Sequence, residues 1–270
     1  MAKATTAVAK KKTAQLAPAG AYDYGELAGV GFENIDSADL SIPFISILHT
    51  TSPQVEDQQP EGCAGGDFFN TVTKEFFKDL IGIPVHQDKA YVEWKPRNSG
   101  GGFVAMHDVN SDEVKAAIAK HGNVGKIPFG ENELVETHYV YLLILNEDGT
   151  ESNGFGVLSF TSTRIKQKKD WYTSMLTLKG KPPTIAQRAK FGTTKVKNDQ
   201  GSWFNWIIAP FGKTWSEGLL NPTVEQERAL IDEALDFRKM VLSGMARANF
   251  EEEKVTAGKG GGSNGEDVPF

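Results

Sequence analysis

The sequence predicts a mainly β chain of the α+β class with flexible ends. Short apolar and β-branched segments recur between clusters of Gly, Pro, Asn and Asp, which is the pattern of strands joined by turns. Two longer segments instead space their apolar residues as helices do. Residues 1–21 and 251–270 show no apolar period, and we expect a disordered arm and a flexible Gly-rich tail there.

Extended segments fill the first part of the ordered region. Asp36–Leu48 opens it, and Pro43 argues against a helix interior and favours an extended or edge stretch. Leu80–His86 and Ala90–Trp94 are apolar and short, so we predict two separate strands.

Two hairpins are predicted in the second half. Thr137–Leu145 is rich in β-branched and aromatic residues, and the turn residues Asn146–Gly149 lead to a returning strand at Phe155–Phe160. Phe191–Lys197 and Trp203–Ala209 flank a second polar turn that contains Gly. Each pair is expected to run antiparallel.

Helical spacing appears in Ser162–Leu178 and in Thr223–Ala248, which follows Pro222. The apolar face of the second helix is predicted to carry Leu230, Ala234, Phe237 and Val241. Short strands with one helix between the third and fourth match a small Greek-key barrel. We therefore predict an OB-fold-like barrel with helical additions over residues 22–250, with a generic α+β domain as the alternative.

The net charge of −6 conceals an uneven distribution. Residues 31–154 hold eight basic and twenty acidic residues, whereas residues 155–215 hold eleven basic and two acidic residues. Four of the five tryptophans also fall within residues 155–215. We call residues 155–215 the basic segment.

Patterns that carry enzymatic chemistry are missing from the sequence. It has no Gly-x-x-x-x-Gly-Lys-Ser/Thr phosphate loop, and its five histidines show no metal-binding spacing. Cys63 is the single cysteine, which excludes a disulfide framework and a Cys-cluster metal site. No apolar run approaches the roughly 20 residues of a membrane helix. We predict a protein that is not an enzyme, with no cofactor, metal or membrane partner.

Single-stranded nucleic acid needs cations along its backbone and flat rings against its bases. The basic segment supplies both kinds of residue, so single-stranded DNA is the predicted partner. The predicted DNA-binding residues are Arg164, Lys166, Lys168, Lys169, Trp171, Lys190, Lys195, Lys197, Trp203 and Trp206. Alternation along a strand places Trp203 and Phe204 on opposite faces, and the sequence leaves open which face is core.

The last five residues, Glu266, Asp267, Val268, Pro269 and Phe270, follow a Gly-rich linker. They resemble the tip of bacterial single-stranded DNA-binding proteins, which is acidic and ends in Ile-Pro-Phe. The resemblance implies a tip that recruits replication, recombination and repair proteins and competes with DNA for basic surface. The chain departs from that pattern in having two acids and Val268 in the place of Ile, and its remaining residues do not match that family.

Asp67–Thr73 looks like part of a family of uncharacterised tailed-phage proteins. Together these features predict a phage single-stranded DNA-binding protein in the cytoplasm of the infected host. A recombination mediator or annealing protein, a phage structural or assembly protein and a metal-dependent nuclease are the alternatives. The oligomeric state, including a homo-oligomer, stays open.

Overall fold

A computed structural model describes residues 41–57, 62–123, 125–198, 201–244 and 247–248. The predicted arm at residues 1–21 and the predicted tail at residues 251–270 lie outside the described residues. The described part is mainly β, as predicted, and its sheets are arranged like a barrel that is not closed.

The strands are β1 (Ser41–Ile42), β2 (Ile45–Ile47), β3 (Phe68–Asn70), β4 (Phe76–Phe77), β5 (Leu80–Trp94), β6 (Phe103–Asp108), β7 (Ile127–Phe129), β8 (Asn132–Leu145), β9 (Ser152–Thr161), β10 (Ala189–Asn198), β11 (Gly201–Pro210) and β12 (Arg247–Ala248). The helices are α1 (Pro53–Glu56), α2 (Asp112–His121), α3 (Arg164–Leu176) and α4 (Glu225–Ser243), with 3₁₀ turns at Arg97–Ser99 and Thr184–Ala186. Both predicted hairpins and both predicted helices are therefore present. α4 ends at Ser243 rather than at Ala248 because Gly244 adopts the left-handed conformation that terminates helices.

A seven-stranded antiparallel sheet forms the centre, in the order β11-β10-β5-β8-β7, with β6 paired to β5 and β9 paired to β8. The prediction of two strands at Leu80–His86 and Ala90–Trp94 is wrong, because β5 is one strand of 15 residues. Its polar middle, Gln87–Lys89, is exposed yet stays paired with β8. A bulge at Val85 shifts the register just before this point.

Two further features complete the barrel-like arrangement. A bridge between Phe44 and Val157 connects the β1–β2 region to β9, and β2, β3 and β4 form a small sheet of their own. On the far side, the hydroxyl of Thr193 in β10 donates to the carbonyl of Gly66 at 2.6 Å. In a closed barrel, backbone hydrogen bonds would pair the strands at this point. Here the Thr193 side chain joins β10 to the segment before β3.

Cores lie on both faces of the central sheet. α4 covers one face with Leu230, Ala234 and Phe237, all buried as predicted, and Phe237 stacks on Phe155 with centroids 4.0 Å apart. α3 and the β2–β3–β4 sheet cover the other face over an aromatic core. None of the described helices combines the length and the apolar character needed to cross a membrane.

Candidate nucleic-acid interface

The exposed cations of the basic segment lie mainly on α3, on the turn after it and on the β10–β11 hairpin. α3 packs against β11, so these surfaces are neighbours. The exposed lysines are Lys166, Lys169, Lys179, Lys181, Lys190, Lys195, Lys197 and Lys213. Asp170 is the one carboxylate among the described residues of this segment. Within the described part of this segment, exposed lysines therefore far outnumber carboxylates, although the chain as a whole is acidic.

Lys195 and Lys197 project from β10 near the end of the hairpin. They stand opposite Phe204 and Ser202 of β11, and their i, i+2 spacing puts them on one face of the strand. Neither ammonium forms an ion pair with a described carboxylate, whereas Lys190 lies 3.6 Å from Asp79. The end of the hairpin thus offers two cations that no described carboxylate neutralises.

The predicted cations at the start of α3 differ in their exposure and in their contacts. Lys166 is exposed but pairs with Asp170 at 2.9 Å, and Lys169 is exposed. Arg164 is half-buried and donates to the carbonyl of Phe204 at 3.1 Å. Burial lowers the pKa of Arg164 to about 10, which leaves it charged at neutral pH. Arg164 therefore fastens α3 to β11 rather than standing out in solvent.

Beside Arg164 lies His49, whose ring nitrogen Nε2 is 3.3 Å from the guanidinium. Burial, and then the charge of Arg164, lower the pKa of His49 to about 4. The imidazole is accordingly neutral at neutral pH and can accept a hydrogen bond from the guanidinium.

Lys168 is buried, unlike its neighbours on α3. Its ammonium donates to the side-chain oxygen of Gln87 and lies 4.4 Å from the centre of the Tyr172 ring. Burial, and then the nearby charges of Lys89 and Lys169, lower its pKa to about 8. No described carboxylate forms an ion pair with it.

The three predicted stacking tryptophans are all core residues in this structure. Trp206 stacks on Phe68 with centroids 5.2 Å apart, and Trp171 meets the ring of Phe191 edge-on at 5.2 Å. Trp203 is buried as well. Their indole N–H groups find no hydrogen-bond partner among the described residues. These three rings therefore pack in the interior, whereas the sequence suggested that they form an exposed surface for stacking.

Two other aromatic rings of the segment reach the surface. Phe204 and Trp215 are half-buried, and each packs with its inner side on the aromatic core. Phe204 lies over the backbone at Gly66, where an added Cβ would come within 2.8 Å of its ring. The sequence offered a signal for Phe204, since strand alternation placed it on the face opposite Trp203, but gave no way to choose between the two faces.

A groove of about 390 Å³ runs beside this part of the hairpin. Its lining includes the backbone of Gly65 and Gly66, the exposed side chain of Ile207 and the lysines Lys78 and Lys190. Asp67 and Asp79 also line it, so the groove itself has mixed charge. Lys78 belongs to the acidic part of the chain, and charge counting along the sequence could not have associated it with the hairpin.

The predicted partner-binding tip, Glu266–Phe270, lies outside the described residues and stays a prediction. Among the described residues, no three His, Cys, Asp or Glu side chains are grouped so that they could hold a metal ion.

The fold therefore defines a class: a mainly β, barrel-like protein with lysines on one hairpin and on one helix. The sequence matches the family described as "Pam3 phage gp34-like protein" over residues 10–247, and the chain belongs to that family. This confirms the prediction of a phage protein. Neither the curated proteins nor the solved structures that were compared gave a match.

Proposed function

We propose that this phage protein is a non-catalytic single-stranded DNA-binding protein that serves replication or recombination of phage DNA in the host cytoplasm. One observation carries the proposal: eight exposed lysines lie on α3, on the turn after it, on the β10–β11 hairpin and just after β11, with one carboxylate among the described residues of that segment. Such a surface attracts a phosphate backbone whatever its sequence.

Base stacking is assigned here to the rings that are accessible. Phe204 and Trp215 are half-buried, and Phe204 stands directly opposite Lys195 in the hairpin. A ring beside a cation is the arrangement that holds a base and its phosphate together. Trp171, Trp203 and Trp206 instead support this surface from the core.

The first test is a titration of fluorescein-labelled oligo-dT by anisotropy at several salt concentrations. Six of the eight lysines, all except Lys166 and Lys190, lack an ion pair with a described carboxylate. The slope of log binding constant against log salt concentration is about −0.7 for each phosphate contacted. Six contacts by these lysines therefore correspond to a slope of about −4. K195A/K197A is expected to flatten that slope by about 1.4, equally for all sequences.

K115A/K120A is the matched control, because it removes two exposed lysines from α2 and changes the net charge equally. It should leave the slope unchanged. Absence of oligo-dT binding at low salt, or equal flattening by both variants, would refute the proposal.

Tryptophan fluorescence gives an independent readout. With three of the segment's tryptophans buried, quenching by oligo-dT should come mainly from the half-buried Trp215. W215F is expected to remove most of the quenching. Quenching that persists unchanged in W215F would show that the base contacts lie elsewhere.

Recruitment of replication and repair proteins is assigned to the tip Glu266–Phe270. Its deletion removes two acids and relocates the terminal carboxylate, so DNA binding should stay intact or become slightly tighter. Pull-downs from host extract should lose replication and repair proteins when the full chain is replaced by the truncated one. A truncated chain that no longer binds DNA contradicts this division of roles.

A further inference from the structure

A second cavity, of about 320 Å³, lies where α3, α4, the bulge of β5 and the 3₁₀ turn Thr184–Ala186 meet. We call it the α3–α4 pocket. The residues that line it are His86, Gln87, Tyr172, Thr184 and Arg238. All five side chains are polar or carry a polar tip, so they can form hydrogen bonds with a polar ligand.

The bulge of β5 fixes the guanidinium of Arg238. Because the register shifts at Val85, the carbonyl of that residue is available and accepts a hydrogen bond from Nη1 of Arg238 at 2.9 Å. The same Nη1 lies 3.2 Å from Nδ1 of His86. Arg238 forms no ion pair with a described carboxylate. Its contacts orient the positive charge without neutralising it.

Lys168 adds a second cation behind the wall of the pocket. The two groups that its ammonium contacts, the Gln87 side chain and the Tyr172 ring, both line the cavity. Burial raises the pKa of Tyr172 well above its ordinary value, so its hydroxyl remains a hydrogen-bond donor. Thr184 supplies another hydroxyl.

Among the described carboxylates, Asp88 acts on His86, which lines the pocket, and on Tyr141, whose ring lies 5.8 Å from that of His86. It is exposed, and its field is screened by solvent. Among the described charges, Arg238 and Lys168 therefore outweigh this screened carboxylate, and the balance in the pocket is positive.

We infer that the α3–α4 pocket binds a phosphate group, with Arg238 as the charged anchor, Lys168 as the supporting charge and Tyr172 and Thr184 as hydroxyl donors. Guanidinium groups suit phosphate oxygens because their N–H groups diverge as a planar fork. The phosphate can come from free phosphate or from a nucleic acid. The inference does not depend on the proposed DNA-binding function, since free phosphate alone can test it.

The experiment is a calorimetric titration of the full chain with sodium phosphate at constant ionic strength in chloride buffer. The wild-type chain should bind saturably. K168Q/R238Q should weaken binding at least about tenfold, as expected for loss of charge-assisted hydrogen bonds. K166Q/R228Q is the matched control: it changes the same residue types on the same two helices, at exposed positions.

A second variant guards against misfolding of the double mutant. T184V keeps every charge, and we expect it to weaken phosphate binding about fivefold by removing one hydroxyl donor. Absence of saturable phosphate binding in the wild-type chain overturns the inference, as does equal weakening in K166Q/R228Q.

Competition distinguishes the two sources. If phosphate displaces labelled oligo-dT more than chloride does at equal ionic strength, the pocket takes a phosphate of DNA. If phosphate binds but displaces no DNA, the pocket takes free phosphate or a nucleotide. Either result supports the phosphate site, and only the first also bears on DNA binding.

Discussion

Replacing Lys168 by Met tests whether the buried ammonium on α3 destabilises the folded chain. The ammonium is buried and has no ion pair with a described carboxylate, and burial is the largest cause of a pKa lowered to about 8. Met has a similar length and flexibility and no charge. We expect K168M to be more stable than the wild-type chain at pH 7, because a buried charge without a paired carboxylate costs free energy.

The size of the expected stability gain in K168M follows from the lowered pKa of Lys168. A fall from 10.5 to about 8 corresponds to about 3 kcal/mol at 1.36 kcal/mol per pKa unit. Below pH 8 both the folded and the unfolded chain hold the proton, so the full cost is present. Between pH 8 and 10.5 only the unfolded chain holds it, so the stability of the wild-type chain gains from this group as pH rises. The advantage of K168M should therefore shrink to under about 1 kcal/mol by pH 10.

Urea unfolding of both proteins at pH 7 and pH 10, followed by circular dichroism, measures this difference. K169M is the control, because Lys169 is the exposed neighbour on the same helix. Its substitution should change stability little at either pH. A K168M effect that is the same at pH 7 and pH 10, or a pH-dependent gain of equal size in K169M, would refute the reasoning.

Two further predictions concern stability. Burial raises the pKa of Glu136, but hydrogen bonds, the largest from His138, lower it to about 2. The lowered pKa adds stability above pH 4.5 that is lost as pH falls toward 2. Solvent screening of this partly exposed carboxylate reduces the gain to about 2 kcal/mol, and the acid unfolding curve of E136Q should lack this pH-dependent loss of stability. G66A should lose about 2 kcal/mol in thermal unfolding, because Gly66 has φ +100° and an added Cβ would lie 2.8 Å from the Phe204 ring. G62A, at φ +85° with open space around it, measures the backbone part alone, and an equal loss there would show that the ring contact contributes nothing.

Local signals were sufficient for the hairpins and the long helices. The turn at Asn146–Gly149 and the apolar face of α4 are properties of neighbouring residues, and both were predicted. α2 was not predicted, although it carries local signals of the same kind. Ser111 caps it by accepting a hydrogen bond from the amide of Val114, and Gly122 follows its end. β5 is different, because the exposed Gln87–Lys89 belongs to a strand only through its pairing with β8 about fifty residues later.

The candidate site depends on contacts between distant residues, and the sequence could predict only part of it. Charge counting located the basic segment and the exposed Lys195 and Lys197. It could not show that Trp206 faces inward, because that face is set by Phe68 in β3. Nor could it show that Lys168 is buried, since its partner Gln87 lies 81 residues away in the chain. Which face of a strand is core is decided by the element that packs on it, and that element is remote in sequence.

Arg188 and Lys168 show how one chain treats two buried cations differently. Arg188 pairs with Glu227 at 3.1 Å, donates to the carbonyl of Gly149 and lies over the ring of Phe211. Its charge is balanced within the fold, as buried charges in a purely structural role generally are. Lys168 has a neutral amide and a ring as partners. Because the described part of the chain supplies a carboxylate to Arg188 and none to Lys168, the charge of Lys168 is left available for an anion from outside the chain.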